Sequence, residues 1–214
     1  MCWNENISLN TFLFSGFILA LIIYNNSFTK YKIQELNNKW IYFFIASFVF
    51  MQLIEFFIWR NINNKFYNNI FSILATLLLI VQPILSIMIV TNVKLRNLLL
   101  ISYLLLAVPY SIYKFSNSNI HSVISESGHL RWNFFYLNPI ILIGWFFFFL
   151  FSFVYEKKWL GLVFGLSTLI IAFLNYTKDQ TVWSMWCWSV NSVMIYYAIY
   201  LLIYLPFLEK MNIC

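Results

Sequence analysis

Glu55 is the only ionisable side chain well inside an apolar stretch of this 214-residue sequence. The other six acidic residues, Glu5, Glu35, Glu126, Glu156, Asp179 and Glu209, fall in predicted loops or at the ends of apolar stretches. A charge held at mid-bilayer costs about 2.5 to 3.5 kcal/mol on insertion scales, so an intramembrane carboxyl group faces other helices or water. Glu55 lies about four residues, or ~6 Å, from the end of its stretch, a depth from which it can also reach toward the interface. Gln52, three residues earlier, shares its helix face. Ser72, Thr76, Gln82 and Ser86 form a polar stripe on the next stretch, with Pro83 removing a backbone donor beside Gln82. Ser184, Trp188 and Asn191 form another near the end of the chain. A rise of ~1.5 Å per residue puts Gln52 and Asn191 at similar depths and Gln82 nearer the middle. The expected site is therefore a polar cluster of Glu55, Gln52, Gln82 and Asn191.

Two chemistries suit such a cluster. A desolvated carboxyl group can bind and release a proton or hold a cation during transport or channel opening. Alternatively, a neutral glutamic acid and neighbouring amides join helices, at roughly 0.6 to 2 kcal/mol per hydrogen bond.

The elements that position these residues follow from composition. The chain is 62% hydrophobic and only 9% charged, with a mean hydropathy of +0.78, whereas soluble domains run at about 45 to 50% apolar and ~25% charged. That excludes a water-soluble fold. Seven apolar stretches approach the roughly 17 to 25 residues that a bilayer core requires: about 7–24, 40–59, 70–90, 95–113, 134–155, 159–176 and 182–208. The expected fold is all-α, a single transmembrane domain of seven helices over 1–214. Glu5 stands where a signal peptide would carry basic residues, so the first stretch is expected to remain as an anchor. Asn, Ile, Lys, Phe and Tyr, all encoded by AT-rich codons, supply 98 of the 214 residues, so the asparagine runs read as base composition rather than function.

With seven spans, eight basic residues (Lys30, Lys32, Lys39, Lys94, Arg96, Lys157, Lys158 and Lys210) share a side with the carboxy-terminus. Five (Arg60, Lys65, Lys114, Arg131 and Lys178) lie opposite. The excess predicts the amino-terminus outside and the carboxy-terminus cytosolic. The net charge of +6 is thereby assigned to topology and anionic lipid headgroups, not nucleic acid. Six of the nine tryptophans, Trp3, Trp59, Trp132, Trp183, Trp186 and Trp188, fall near the outer boundary, as an interfacial aromatic belt would. Trp183, Trp186 and Trp188 could instead form a ligand cage.

The one long connection, 114–133, is expected as a solvated loop or an amphipathic segment on the outer surface. It carries His121, Glu126 and His129, whose spacing matches no standard zinc pattern, so no metal is expected. Gly161 with Gly165, and Gly16 with Ala20, suit close helix packing within the bundle first and homodimerisation second. Asn6 and Asn175 are in glycosylation sequons too near the membrane to favour modification. Cys2 and Cys187 are both expected on the outer side and Cys214 in the cytosolic tail. This leaves open a Cys2–Cys187 disulfide or three free thiols.

Familiar seven-helix proteins are excluded by their own chemistry. None of the ten lysines lies inside a span to form a retinal Schiff base. Receptor signals are missing: Asn138-Pro139 lacks a following tyrosine, and no Asp-Arg-Tyr follows the third span. No nucleophile, base and orienting group can be assembled, so neither an enzyme nor a cofactor is expected. The opening Met1-Cys2-Trp3, the segment from Met51 to Trp59, and Met185-Trp186-Cys187-Trp188-Ser189-Val190-Asn191 resemble a family of small multi-pass membrane proteins of large DNA viruses of protists. That resemblance implies a host-cell or virion membrane and no activity, cofactor or catalytic residue.

The sequence thus leads to a transporter or channel for a proton, ion or small solute, partnered by the lipid bilayer, with a non-enzymatic scaffold or interaction protein as the alternative. For the cysteines, a comparison of non-reduced and reduced intact mass decides the pairing. A gain in mass of two hydrogen atoms on reduction identifies the disulfide, and an unchanged mass identifies free thiols.

Overall fold

Asparagine side chains mark where the helices begin. In the computed structural model, which describes residues 4–135 and 137–207, Asn4 precedes α1 (Glu5–Phe28), Asn38 precedes α2 (Lys39–Arg60) and Asn64 precedes α3 (Lys65–Ile87). Asn92 precedes α4 (Val93–Asn117) and Asn138 precedes α5 (Pro139–Tyr155). In each case the side-chain oxygen accepts a first-turn backbone N–H, at 2.9 to 3.3 Å. Such caps stabilise a helix by about 0.5 to 2 kcal/mol. These five asparagines have a structural role in starting the helices, which the reading of the runs as base composition rather than function does not address.

The remaining helices are α6 (Trp159–Tyr176), α7 (Val182–Val190) and α8 (Val193–Ile199), the last continuing as a π-helical stretch, Tyr200–Tyr204. Among the described residues, six helical segments are long and apolar enough to cross a membrane, counting Val182–Phe207 as one. The fifth apolar helix, Pro139–Tyr155, has 17 residues and is shorter than expected. Its expected start at 134 fails because Asn133–Phe135 forms a separate 3-10 turn, with Phe134 and Phe135 buried, and Pro139 sits in the first turn of the helix that follows.

Helix α2 is central, packing against α1, α3 and α7, while α3 packs on α5 and α6 on α7. Gly16 faces Val49, where an added Cβ would stand 3.7 Å from the Val49 side chain. Where α2, α5 and α7 meet, the core is aromatic: Phe48, Phe149 and Trp186 pack edge-on at 5.8 to 6.1 Å between centroids. In α3, Pro83 has no N–H for the Leu79 carbonyl. The Trp145 indole N–H of α5 donates to that carbonyl instead, at 3.0 Å.

The connection after α4 is a half-buried hairpin, not a solvated loop: Ser122, Leu130 and Trp132 turn inward while Ile124, Glu126 and Ser127 stay exposed. Strands β1 (Ser122–Ile124) and β2 (Leu130–Trp132) pair antiparallel, Ser122 opposite Trp132. Gly128 turns the hairpin at φ 78°, a left-handed conformation that suits glycine. Asn68 locks the hairpin to α3. Its Nδ2 donates to the Ser122 carbonyl at 2.9 Å and its Oδ1 accepts the Ser122 N–H at 2.9 Å. Asn69 Nδ2 donates to the Ile120 carbonyl, and the Ser184 hydroxyl of α7 donates to the Leu130 carbonyl. An extended segment can satisfy its backbone here because these side chains replace water. The Asn68→Ala substitution is expected to loosen the hairpin by about 1 to 3 kcal/mol. Amide hydrogen exchange should then speed up across 122–132 while the α2 core keeps its protection.

Candidate functional site

Gln52 and Glu55 are adjacent on the buried face of α2, one helical turn apart. The Gln52 Nε2 donates to Glu55 Oε2 at 2.8 Å, and the two residues are 0% and 4% exposed. Neither Gln52 Oε1 nor Glu55 Oε1 has a hydrogen-bond partner. The Trp132 indole, carried in by β2, bears on the same carboxyl group, but its N–H does not reach hydrogen-bond geometry with any acceptor. Buried polar atoms left in this condition cost about 1 to 3 kcal/mol each, and in a folded protein each requires an explanation.

Asn191 stands at the end of α7, where the last span tightens. Its N–H turns to the Trp188 carbonyl at 3.1 Å, releasing the Cys187 carbonyl, which accepts from the Asn191 Nδ2 at 2.7 Å. The same amide reaches the Phe48 carbonyl of α2 at 3.4 Å, and Asn191 Oδ1 has no partner. Ser192 and Met194 also take short i to i−3 bonds. The expected span over 182–208 is found as one apolar helical segment, Val182–Phe207, which tightens to an i to i−3 turn at Asn191 and Ser192 and widens into the π-helical stretch beyond. Cys187 is a buried free thiol within electrostatic reach of Glu55. Its expected partner Cys2 lies outside the described residues.

Gln82 is 0% exposed with both amide atoms unpartnered, yet it stands apart from Glu55. The stacked pair Phe57 and Phe71, 5.0 Å between centroids, sets the register of α2 and α3. Counting from it at ~1.5 Å per residue, Gln82 lies about 13 Å deeper than Glu55. It occupies the α3 stripe between Leu79, which accepts from Trp145, and Ser86, which donates to the Phe149 carbonyl. The structure thus brings together Glu55 and Gln52 alone; Asn191, at the level of Phe48, lies about 10 Å deeper than Glu55 and closer in depth to Gln82.

Sequence reasoning missed Trp132. Assigned to the interfacial belt, it is 4% exposed beneath the hairpin, and Trp186, 3% exposed, is equally part of the core. Trp186 donates to the Gly165 carbonyl and Trp188 to Thr11, so these rings are helix-packing elements rather than a cage. Of the glycine pair, Gly161 lies against Phe153, whereas an added Cβ at Gly165 would meet nothing within 4 Å. Close approach therefore explains the first glycine only.

His121, Glu126 and His129 do not assemble. His121 contacts Asn133 and the Asn119 carbonyl, while the His129 ring packs edge-on against Tyr176 at 5.3 Å. Among the described residues no three metal-ligating side chains converge.

Two cavities of about 110 and 280 Å³ lie in the bundle, the first between α2, α5, α6 and the last span, the second between α3, α4 and α5. Asn191 borders the first, and neither reaches Gln52 or Glu55. Compared with known protein families, curated proteins and solved structures, the chain matches none.

His129 makes the hairpin sensitive to acid. Burial lowers its pKa from 6.5, with Asp179 acting in the opposite sense. The unfolded hairpin then binds a proton more readily than the folded one, so stability is full above about 6.5 and declines as pH falls below it. Exchange of the 122–132 amides, corrected for intrinsic rates, should accelerate on acidification below that pH, and His129→Gln should remove the dependence.

Proposed function

We propose that this integral membrane protein is a transporter or channel for a proton, ion or small solute, with Glu55 as the exchanging group, captured in a closed conformation. The observation that carries the reading is a buried carboxyl group with an unpartnered oxygen, next to the Trp132 indole of the hairpin. Where the last span tightens at Asn191, a side-chain group, the unpartnered Asn191 Oδ1, is left over that could hold cargo. The hairpin is the piece that must shift, since Trp132 closes the site from that end. The amino-terminus outside, seven crossings and a host-cell or virion membrane belong to the same reading, supported by the basic-residue asymmetry and by the resemblance.

A second reading, a non-enzymatic membrane scaffold, is favoured by the sealing of Glu55, which both cavities bypass. In that case the Gln52–Glu55 pair is a polar clasp within the bundle. Proton and cation flux into liposomes separates the two readings. Transport predicts flux in the wild type that falls to the level of protein-free liposomes in a correctly folded Glu55→Gln variant. Absence of wild-type flux, or flux unchanged by the substitution, assigns the carboxyl group to packing.

A further inference from the structure

The larger cavity has the dimensions and polarity of a lipid-chain site. Its floor is the edge-on pair of Tyr103 and Phe148, 5.3 Å between centroids, with the Tyr103 hydroxyl anchored on the Ile80 carbonyl at 2.8 Å. Its opposite limit along α4 is Lys114, the single charged side chain among the lining residues. From Tyr103 to Lys114 is eleven residues, or ~16 Å of helix, which is about half of a ~30 Å hydrocarbon core and therefore one leaflet. The walls between are predominantly apolar, the Thr76 and Ser111 hydroxyls being turned back onto the Ser72 and Ala107 carbonyls of their own helices, and Gly144 on α5 leaves open space where a side chain would stand.

The cavity is also accessible from the membrane. Helix α4 buries only Leu99 and Tyr103, packing chiefly on α3. The wall residues Leu106 and Ile140 are 60% and 78% exposed, so the gap between α4 and α5 opens sideways. An occupant entering there meets hydrocarbon along its length and one positive charge at the interfacial end.

We infer that the α3–α4–α5 cavity holds one acyl chain of an anionic phospholipid, whose phosphate lies against Lys114. The site is independent of Glu55 and of any transport role. Its test is native mass spectrometry of the full chain released from nanodiscs of equal phosphatidylglycerol and phosphatidylcholine. The wild type should retain one phosphatidylglycerol. Gly144→Leu, which fills the open space, should lose it. Lys114→Gln should reduce the preference for phosphatidylglycerol over phosphatidylcholine roughly fivefold, as expected for one interfacial lysine. Retention unchanged in Gly144→Leu, a wild type without charge preference, or a retained fatty acid in place of phospholipid would each overturn the assignment. A measurement on the wild type alone guards against misfolding of the variants: phosphatidylglycerol with a photoreactive acyl chain should crosslink within 103–114 and 140–148. Crosslinks spread evenly over the lipid-facing helices would defeat the proposal.

Discussion

A bilayer offers no water to an interrupted backbone, and the buried turns of this architecture answer that constraint. Helices satisfy their own interior groups, but every start, break and turn exposes N–H and C=O groups that need a partner. Asparagine supplies it repeatedly, because one short side chain carries both a donor and an acceptor. It caps five helices, and at Asn26 it pins the loop after α1 by bonding both the N–H and the carbonyl of Ile33. At Asn68 it does the same for Ser122, which makes an extended hairpin tolerable at the end of a helical bundle.

The same constraint explains the tryptophans. An indole N–H buried among helices needs an acceptor, and helices offer one only where a carbonyl has been freed or is bonded weakly. Pro83 frees such a carbonyl for Trp145, and Gly165 exposes one to Trp186. Trp132 has no such acceptor. It ends against the Glu55 carboxyl instead, which is why the least satisfied part of the interior is also its most chemically interesting part.

Composition made the membrane class legible, and helical spacing made Glu55 and Gln52 neighbours, because both are properties of contiguous chain. The hairpin was hidden because its strands are three residues long and their burial depends on Asn68, some 54 positions away in the sequence. The depth of Gln82 relative to Glu55 depends on how α2 and α3 slide past each other, which Phe57 and Phe71 decide and no single-helix count can see. The asparagine caps could have been found: Asn4, Asn38, Asn64, Asn92 and Asn138 each stand immediately before a helix. Their abundance disguised them.

The tight turn at Asn191 divides the last span into two different halves. Before it, Ser184, Trp186 and Trp188 tie the chain to β2, α6 and α1. After it, Ile195, Ile199, Leu202 and Ile203 face outward, and the helix widens into a π-helical stretch. A uniform helix would keep one rotation from one membrane face to the other, as a shaft does. Here the turn at Asn191 and Ser192, held to α2 by the Asn191 amide, resets the rotation of the trailing half, so that Met194 and Tyr197 face the bundle while its isoleucines face outward.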